Sequence, residues 1–308
     1  MNNKLCIATW VYGRKYQGWI PLYVYSIKKN YPEYDIKIFV DQNLSLGIKR
    51  LLDEFDLSDS VDIYENIFTD EFLWLRNDIE KRCYRWLIRG YGLDKYDYVY
   101  WGDIDIYIVK EEPSLLEQHV NKINENNLNY SNAIRLTIKD YLYNRGKTDK
   151  RHLLRLTGLH FVKTHEYYKK VKDKQDTIIK YLMRSHRNRF IDGLFFKDDE
   201  RCLWLLNFLS KNGFPKGSYQ LSGGIFRPLH GIHFAVGRVF DEYKKILTND
   251  SAHQSEHRFY FERFCDEYNR DEVLRKLVFN SSTYILDIIS KTCDFWKGSL
   301  LKDEIKTE

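Results

Sequence analysis

Two aspartates one residue apart, Asp103 and Asp105, stand near the end of the most strand-like stretch of this 308-residue chain, YDYVYWGDIDIYIV over 96–109. On a strand, alternate side chains share a face, so both carboxylates are predicted to point the same way with Ile104 between them. Like charges that close repel, and burial sharpens the repulsion unless a cation relieves it. An oxygen-rich site suits Mg2+ or Mn2+, and such an ion can hold and neutralise a leaving diphosphate. The competing reading is two solvated aspartates in a turn, because D-x-D triplets are common. Position favours the metal. The triplet closes a β–α series, and in open α/β sheets ligands sit beyond the carboxyl ends of the strands, where a nucleotide-sugar site is expected.

The elements that must present this pair are legible in the pattern. KLCIATWVY, YDIKIFVD and SVDIYEN read as strands, and IPLYVYSIKKNYP, SLGIKRLLDEFDL and TDEFLWLRNDIEKRCYRWLIRGYGL as helices, the last capped by Thr69 or Asp70. Strands alternating with helices predict an α/β fold with a mostly parallel sheet flanked by helices. Beyond 110, EPSLLEQHVNKINENN and DERCLWLLNFLSKNGFP read as helices, LTGLHFV as a strand, and 132–171 otherwise as mixed strand-like and polar pieces. EYKKILTND and the amphipathic runs after it make the C-terminal part helical. The boundaries drawn are 1–240 for a nucleotide-sugar-binding and catalytic unit and 241–308 for a helical extension packed on it.

Composition narrows the class. Hydrophobic residues at 43% support a sizeable core, and 24 Tyr and 7 Trp suit either such a core or stacking on sugars and bases. The net charge of +5 reads as modest and spread along the chain, which gives no stripe for a nucleic-acid partner. Five scattered cysteines form no CxxC pair, so neither a disulfide framework nor a cysteine zinc site is indicated. With no signal-peptide pattern and no apolar run near the ~20 residues of a membrane span, a cytoplasmic location is expected, with room for peripheral contact at the inner membrane face.

Together, these segments carry a resemblance. YVYWGDIDIYIV is similar to the DxD segment of GT-A glycosyltransferases, most of all family 8 and related bacterial polysaccharide and lipopolysaccharide enzymes. CIATWVYGRKYQGWIPLYVYSIKKNYPEYDIKIFVDQ resembles that family's opening, and YRWLIRGYGLDKYDYVYW its helix leading into the DxD strand. Downstream, RLTGLHFV, with Gly158, takes the place of a small-residue strand, and FRPLHGIHFAVGR resembles the late H-F-x-G-x-x-K-P-W element. Two departures stand out. GRK replaces the acidic and amide residues after strand one, and GR replaces the Lys-Pro-Trp end, leaving Arg238 to substitute for a diphosphate lysine.

The resemblance implies a GT-A fold, a UDP-hexose donor, Mn2+ or Mg2+, and a saccharide or lipid-linked oligosaccharide acceptor, with retention of anomeric configuration favoured and inversion left open by the two departures. It implies that His233 completes the metal site beside Asp103 and Asp105, with His230 facing the diphosphate. Thr9, Tyr12 and Tyr16 are the expected nucleotide contacts, and Arg85 resembles an arginine that contacts donor phosphate or sugar. At a helix start, Asp198 and Asp199 are either caps or the acidic group that touches donor or acceptor, with Asp199 preferred. Arg258, Phe259, Tyr260 and Arg263 are expected in an acceptor- or membrane-docking region. A nucleotidyltransferase or sugar-phosphate transferase, with VYGRKYQG as its phosphate loop, and a non-catalytic carbohydrate-binding module are the competing functions.

Overall fold

In β1 (Leu5–Val11), β2 (Asp35–Val40) and β4 (Tyr98–Gly102) nearly every residue is buried, as happens when helices cover both faces of a parallel sheet. The computed structural model describes residues 4–67, 78–143, 149–216, 230–234 and 252–306. Arg238, the Thr69 or Asp70 cap and the helix expected from EYKKILTND lie outside them. With β3 (Asp62–Tyr64), β6 (Tyr130–Ser131) and β7 (His160–Lys163), these strands form a six-stranded sheet in the order β3-β2-β1-β4-β7-β6. β1 is parallel to β2 and β4, β2 is parallel to β3, and β7 is antiparallel to both its neighbours. The sheet is therefore mostly parallel, as the alternation of strands and helices predicts. The chain leaves β1 toward β2 and returns on its other side as β4, so a topological switch point opens between the C-terminal ends of β1 and β4.

Strand alternation divides the interior into two cores. Leu5, Ile7, Ile38, Val40, Tyr98 and Tyr100 face one side, against α2 (Ile20–Asn30) and α3 (Leu46–Glu54), which follow the short α1 (Arg14–Gln17). Cys6, Ala8, Phe39, Val99 and Trp101 face the other. There they meet α4 (Asp78–Cys83), α7 (Thr164–Leu182) and α9 (Asp199–Leu209). Burial of each large side chain here stabilises by roughly 1.5–3 kcal/mol. Helix α7 corrects the mixed reading of its segment. Its buried positions Tyr167, Val171, Gln175, Ile178 and Leu182 keep helical spacing, but the polar Gln175 and the many lysines between them dilute the pattern.

The remaining helices are α5 (Leu115–Asn126), α6 (Ile138–Tyr143), α8 (Arg189–Phe195), α10 (Ala252–Arg270), α11 (Glu272–Asn280) and α12 (Thr283–Lys306). Phe261, Phe264, Leu274, Leu277, Ile285 and Ile289 place the C-terminal helices in the first core. Tyr260 is also inside it, 2% exposed, and donates to Glu111 at 2.7 Å, so it is not the docking residue the sequence suggested.

A second, two-stranded sheet lies beside the switch point. β5 (Ile106–Ile108) pairs antiparallel with β8 (Gly231–His233). Two buried polar residues of α2 fix β5: Ser26 Oγ accepts from Ile108 N at 3.1 Å, and Asn30 Nδ2 donates to Ile108 O at 2.9 Å. The β5–β8 pair is tight enough that a Cβ on Gly231 would stand 1.9 Å from the Tyr107 carbonyl oxygen. Only glycine allows that approach, and the approach sets where His233 falls.

Candidate active site

The D-I-D triplet is a turn, not a strand. β4 ends at Gly102, and residues 103–105 carry the chain across to β5 in the other sheet. A continuous apolar pattern hides the crossing, so the expected common strand face for Asp103 and Asp105 does not exist. Both side chains nevertheless line one cleft of about 720 Å³ at the switch point. Each has its own basic partner. Asp103 Oδ1 accepts from Arg85 Nη1 at 2.9 Å, and Asp105 Oδ1 lies 3.1 Å from His233 Nε2. Splitting the charges this way removes the repulsion that the sequence alone posed.

His233 reaches Asp105 because β8 is pinned at both ends. Phe234 N donates to the Asp105 carbonyl at 2.8 Å and Val109 N to the His230 carbonyl at 2.9 Å. Beside them, Phe234 stacks on Trp19 with ring centroids 5.4 Å apart. His230, however, is fully buried and is not among the residues that line the cleft. Its Nδ1 lies 2.5 Å from Glu111 Oε2 and its Nε2 3.0 Å from His119 Nε2, while His119 Nδ1 meets Ser131 Oγ at 2.9 Å. Burial holds the His119 pKa well below the ordinary value, so that ring is neutral. The chain is then fully paired when Ser131 donates to His119, His119 to His230, and His230 to Glu111. His230 is thus an anchor for β8.

Arg85 is the hub on the opposite wall. Besides Asp103, its guanidinium lies 3.5 Å from Asp199 Oδ2, donates to the carbonyls of Gly102 and Gly158, and rests 4.2 Å over the Trp86 ring. Gly158 therefore holds the arginine through its carbonyl, and it does not line the cleft. Asp199 opens α9 and does line the cleft. Removal from water pushes its carboxyl up to about 6, against the opposing pull of Arg85. Asp198 is the N-cap of that helix, accepting from Arg201 N at 2.9 Å and pairing with Arg155 at 3.4 Å, so it has no part in the cleft. Thr9 is also corrected: its buried hydroxyl donates to Gly102 O at 3.0 Å and ties β1 to β4.

Tyr12 and Tyr16 line the cleft as expected, but so do Trp10, Gly13, Arg14, Lys15 and Arg82, which the sequence reading did not place there. Gly13 takes a φ of +86° and its N–H donates to Asp41 Oδ1 at 3.2 Å, so the end of β2 shapes the loop. From α12, Tyr284 supports it: Lys15 Nζ sits 4.1 Å over that ring. The available signal was GRK itself, three residues directly after a strand that ends at a switch point.

Among the described residues, no group of three His, Cys, Asp or Glu side chains is arranged to hold a metal ion. Asp105 and His233 are nonetheless adjacent donors, and Asp103 faces the same cleft while engaged with Arg85. Two hard carboxylates and one imidazole form a donor set that suits Mn2+ or Mg2+.

No family model and no curated protein sequence matches the chain. Among solved structures, the chain is similar to galactosyltransferase LgtC in complex with donor and acceptor sugar analogs, at 14% identity and a TM-score of 0.36 over 62% of this chain and 70% of that one. It is similar to the glycosyltransferase GlyE of Streptococcus pneumoniae TIGR4 at 12% identity and a TM-score of 0.42, over 97% of this chain and 64% of that one. Core-mannan synthase A of Aspergillus fumigatus, in its Mn/GDP form, gives 8% identity and a TM-score of 0.41 over 69% and 70% of the two chains.

Proposed function

We propose that the cleft is the donor site of a metal-dependent glycosyltransferase, which moves a hexose from a nucleotide sugar, UDP-hexose foremost, to a saccharide or lipid-linked saccharide acceptor. The observation that carries this reading is convergence. Two turn aspartates, a histidine from another sheet, an arginine–aspartate pair and a basic, tyrosine-bearing loop line one cleft at the switch point. The resemblance to family 8 adds retention of configuration and a role in bacterial surface polysaccharide synthesis.

Each part has a task. Tyr12 and Tyr16 offer ring faces to the base. Arg14, Lys15 and Arg82 meet the diphosphate, with Arg14 and Arg82 suited to forked contacts on phosphate oxygens. Asp103, Asp105 and His233 would hold the divalent ion, which when bound supplies Lewis-acid stabilisation of the leaving diphosphate. In transfer, the acceptor oxygen bonds to the anomeric carbon as the bond from that carbon to the diphosphate oxygen breaks, and the acceptor hydroxyl's proton passes to that leaving diphosphate oxygen. The basic side chains share the charge that develops on the leaving group. Asp199, oriented by Arg85, serves in its ionised form, accepting hydrogen bonds from the sugar hydroxyls at the reacting centre.

The test is release of nucleotide from a panel of UDP-, GDP- and CMP-sugars in the presence of Mn2+. Since the Asp199 carboxyl keeps its proton up to about pH 6 in the folded protein, the ionised form grows in as pH rises through that value. Release is expected to climb across this limb and level off above it, and Asp199→Asn should remove the limb along with most of the activity. Failure of every donor in the panel would refute the reading.

A further inference from the structure

The net positive charge of the chain is concentrated in one segment. Over 169–190, KKVKDKQDTIIKYLMRSHRNRF, eight Lys and Arg stand against two Asp, a net of +6, whereas the whole chain carries +5. The rest of the molecule is close to neutral, so the even spread of charge expected from the sequence does not hold. Structure gives the segment a direction. Val171, Gln175, Ile178 and Leu182 bury one side of α7, while Lys169, Lys172 and Lys180 are exposed along the other. At its end, the turn into α8 exposes Met183 at 54% and Phe190 at 75%.

This turn is built, and its apolar tips are held out. Tyr181 Oη donates to Asn188 O at 3.2 Å and to Asp192 Oδ1 at 3.0 Å, and Asn188 Oδ1 caps α8 by accepting from Phe190 N at 2.9 Å. Arg187 faces inward, 3.4 Å from Asp192. Lys180, Arg184, His186 and Arg189 are exposed around the apex. Single exposed apolar side chains are ordinary. Two bulky ones on a braced turn, ringed by the cations of an otherwise near-neutral protein, match a lipid interface, where apolar groups enter the headgroup layer and basic groups meet phosphates.

We infer that the α7–α8 apex docks the protein on an anionic phospholipid surface, with Met183 and Phe190 inserted and Lys180, Arg184 and Arg189 facing the lipid phosphates. A nucleic acid would use the same cations but gain nothing from Met183. Among the described residues no helix is long and apolar enough to cross a membrane, and this apex provides a peripheral attachment. The inference does not depend on the transfer chemistry.

The test is co-sedimentation of the full chain with vesicles of phosphatidylcholine, alone or mixed with phosphatidylglycerol. Binding is expected only to the mixed vesicles and to weaken with added salt. Arg184→Glu with Arg189→Glu should lower partitioning by about fivefold or more for each charge removed. Met183→Ser with Phe190→Ser should also release the protein from vesicles, yet leave its binding to free heparin unchanged. None of these four residues lines the cleft, so nucleotide release without vesicles should be unaltered and reports that the variants fold. No binding to mixed vesicles, binding indifferent to both double variants, or loss of heparin and vesicle binding in parallel in the apolar variant would each overturn the inference.

Discussion

Asp105→Ala is expected to lower nucleotide release by about a hundredfold or more, with the fold intact. Losing several kcal/mol of charge stabilisation on the leaving diphosphate corresponds to at least that factor. The fold survives because the backbone of residue 105, not its carboxylate, accepts the Phe234 N–H that pins β8. The carboxylate itself faces His233 in the cleft. Removing it strips the adjacent pair of donors down to an imidazole, and added Mn2+ should no longer raise the rate. Asp103→Ala is expected to fall short of wild type for a mixed reason, since Asp103 also balances Arg85. Thermal denaturation beside the rate measurement separates the two: Asp105→Ala should unfold near the wild-type temperature, and Asp103→Ala below it. An Asp105→Ala protein that keeps its Mn2+-stimulated rate would remove Asp105 from the site.

Arg85→Ala is expected to do the most damage to both stability and rate. The side chain is 9% exposed and sits between Asp103 and Asp199. Deleting one partner of a buried ion pair leaves an uncompensated charge, which costs roughly 3–5 kcal/mol. The carbonyls of Gly102 and Gly158 also lose their donor. Arg85→Lys should recover little, because an ammonium cannot repeat a fork that reaches two carboxylates and two carbonyls. A further consequence has a definite sign. Arg85 lowers the Asp199 pKa, so without it the carboxyl holds its proton to higher pH and the acidic limb of the residual activity moves alkaline. In the double variant Arg85→Ala with Asp199→Asn, part of the stability should return without the activity, a coupling that a double-mutant cycle reads directly. An unmoved limb in Arg85→Ala would show that Asp199 does not set it.

What the sequence disclosed and what it hid divide along sequence separation. β1, β2, β4 and α2 are legible because their patterns are local, and Asp103, Asp105, Asp199, Arg85 and His233 are residue types that stand out in a strand–helix series. The turn at 103–105 is hidden, since an apolar run looks the same whether it continues in one sheet or crosses to another. His230 is hidden for a related reason. Beside His233 in sequence it looks like a diphosphate contact, and only His119, 111 residues away, and Glu111, 119 away, turn it into an anchor. Asp198 and Asp199 differ by one position, yet at a helix start one caps backbone N–H groups while its neighbour faces the cleft. Arg14 and Lys15 were read as a departure from a family pattern, when their place at the end of β1 already put them at the switch point.

Calorimetric titration of UDP into the full chain, with and without Mn2+, bears most directly on the proposed donor site. Tight binding in the presence of Mn2+, much weaker binding without it, and loss of the Mn2+ dependence in Asp105→Ala are the expected results. UDP binding that is equally strong with and without Mn2+, or no UDP binding at all, would contradict a metal–diphosphate clamp built from Asp103, Asp105 and His233.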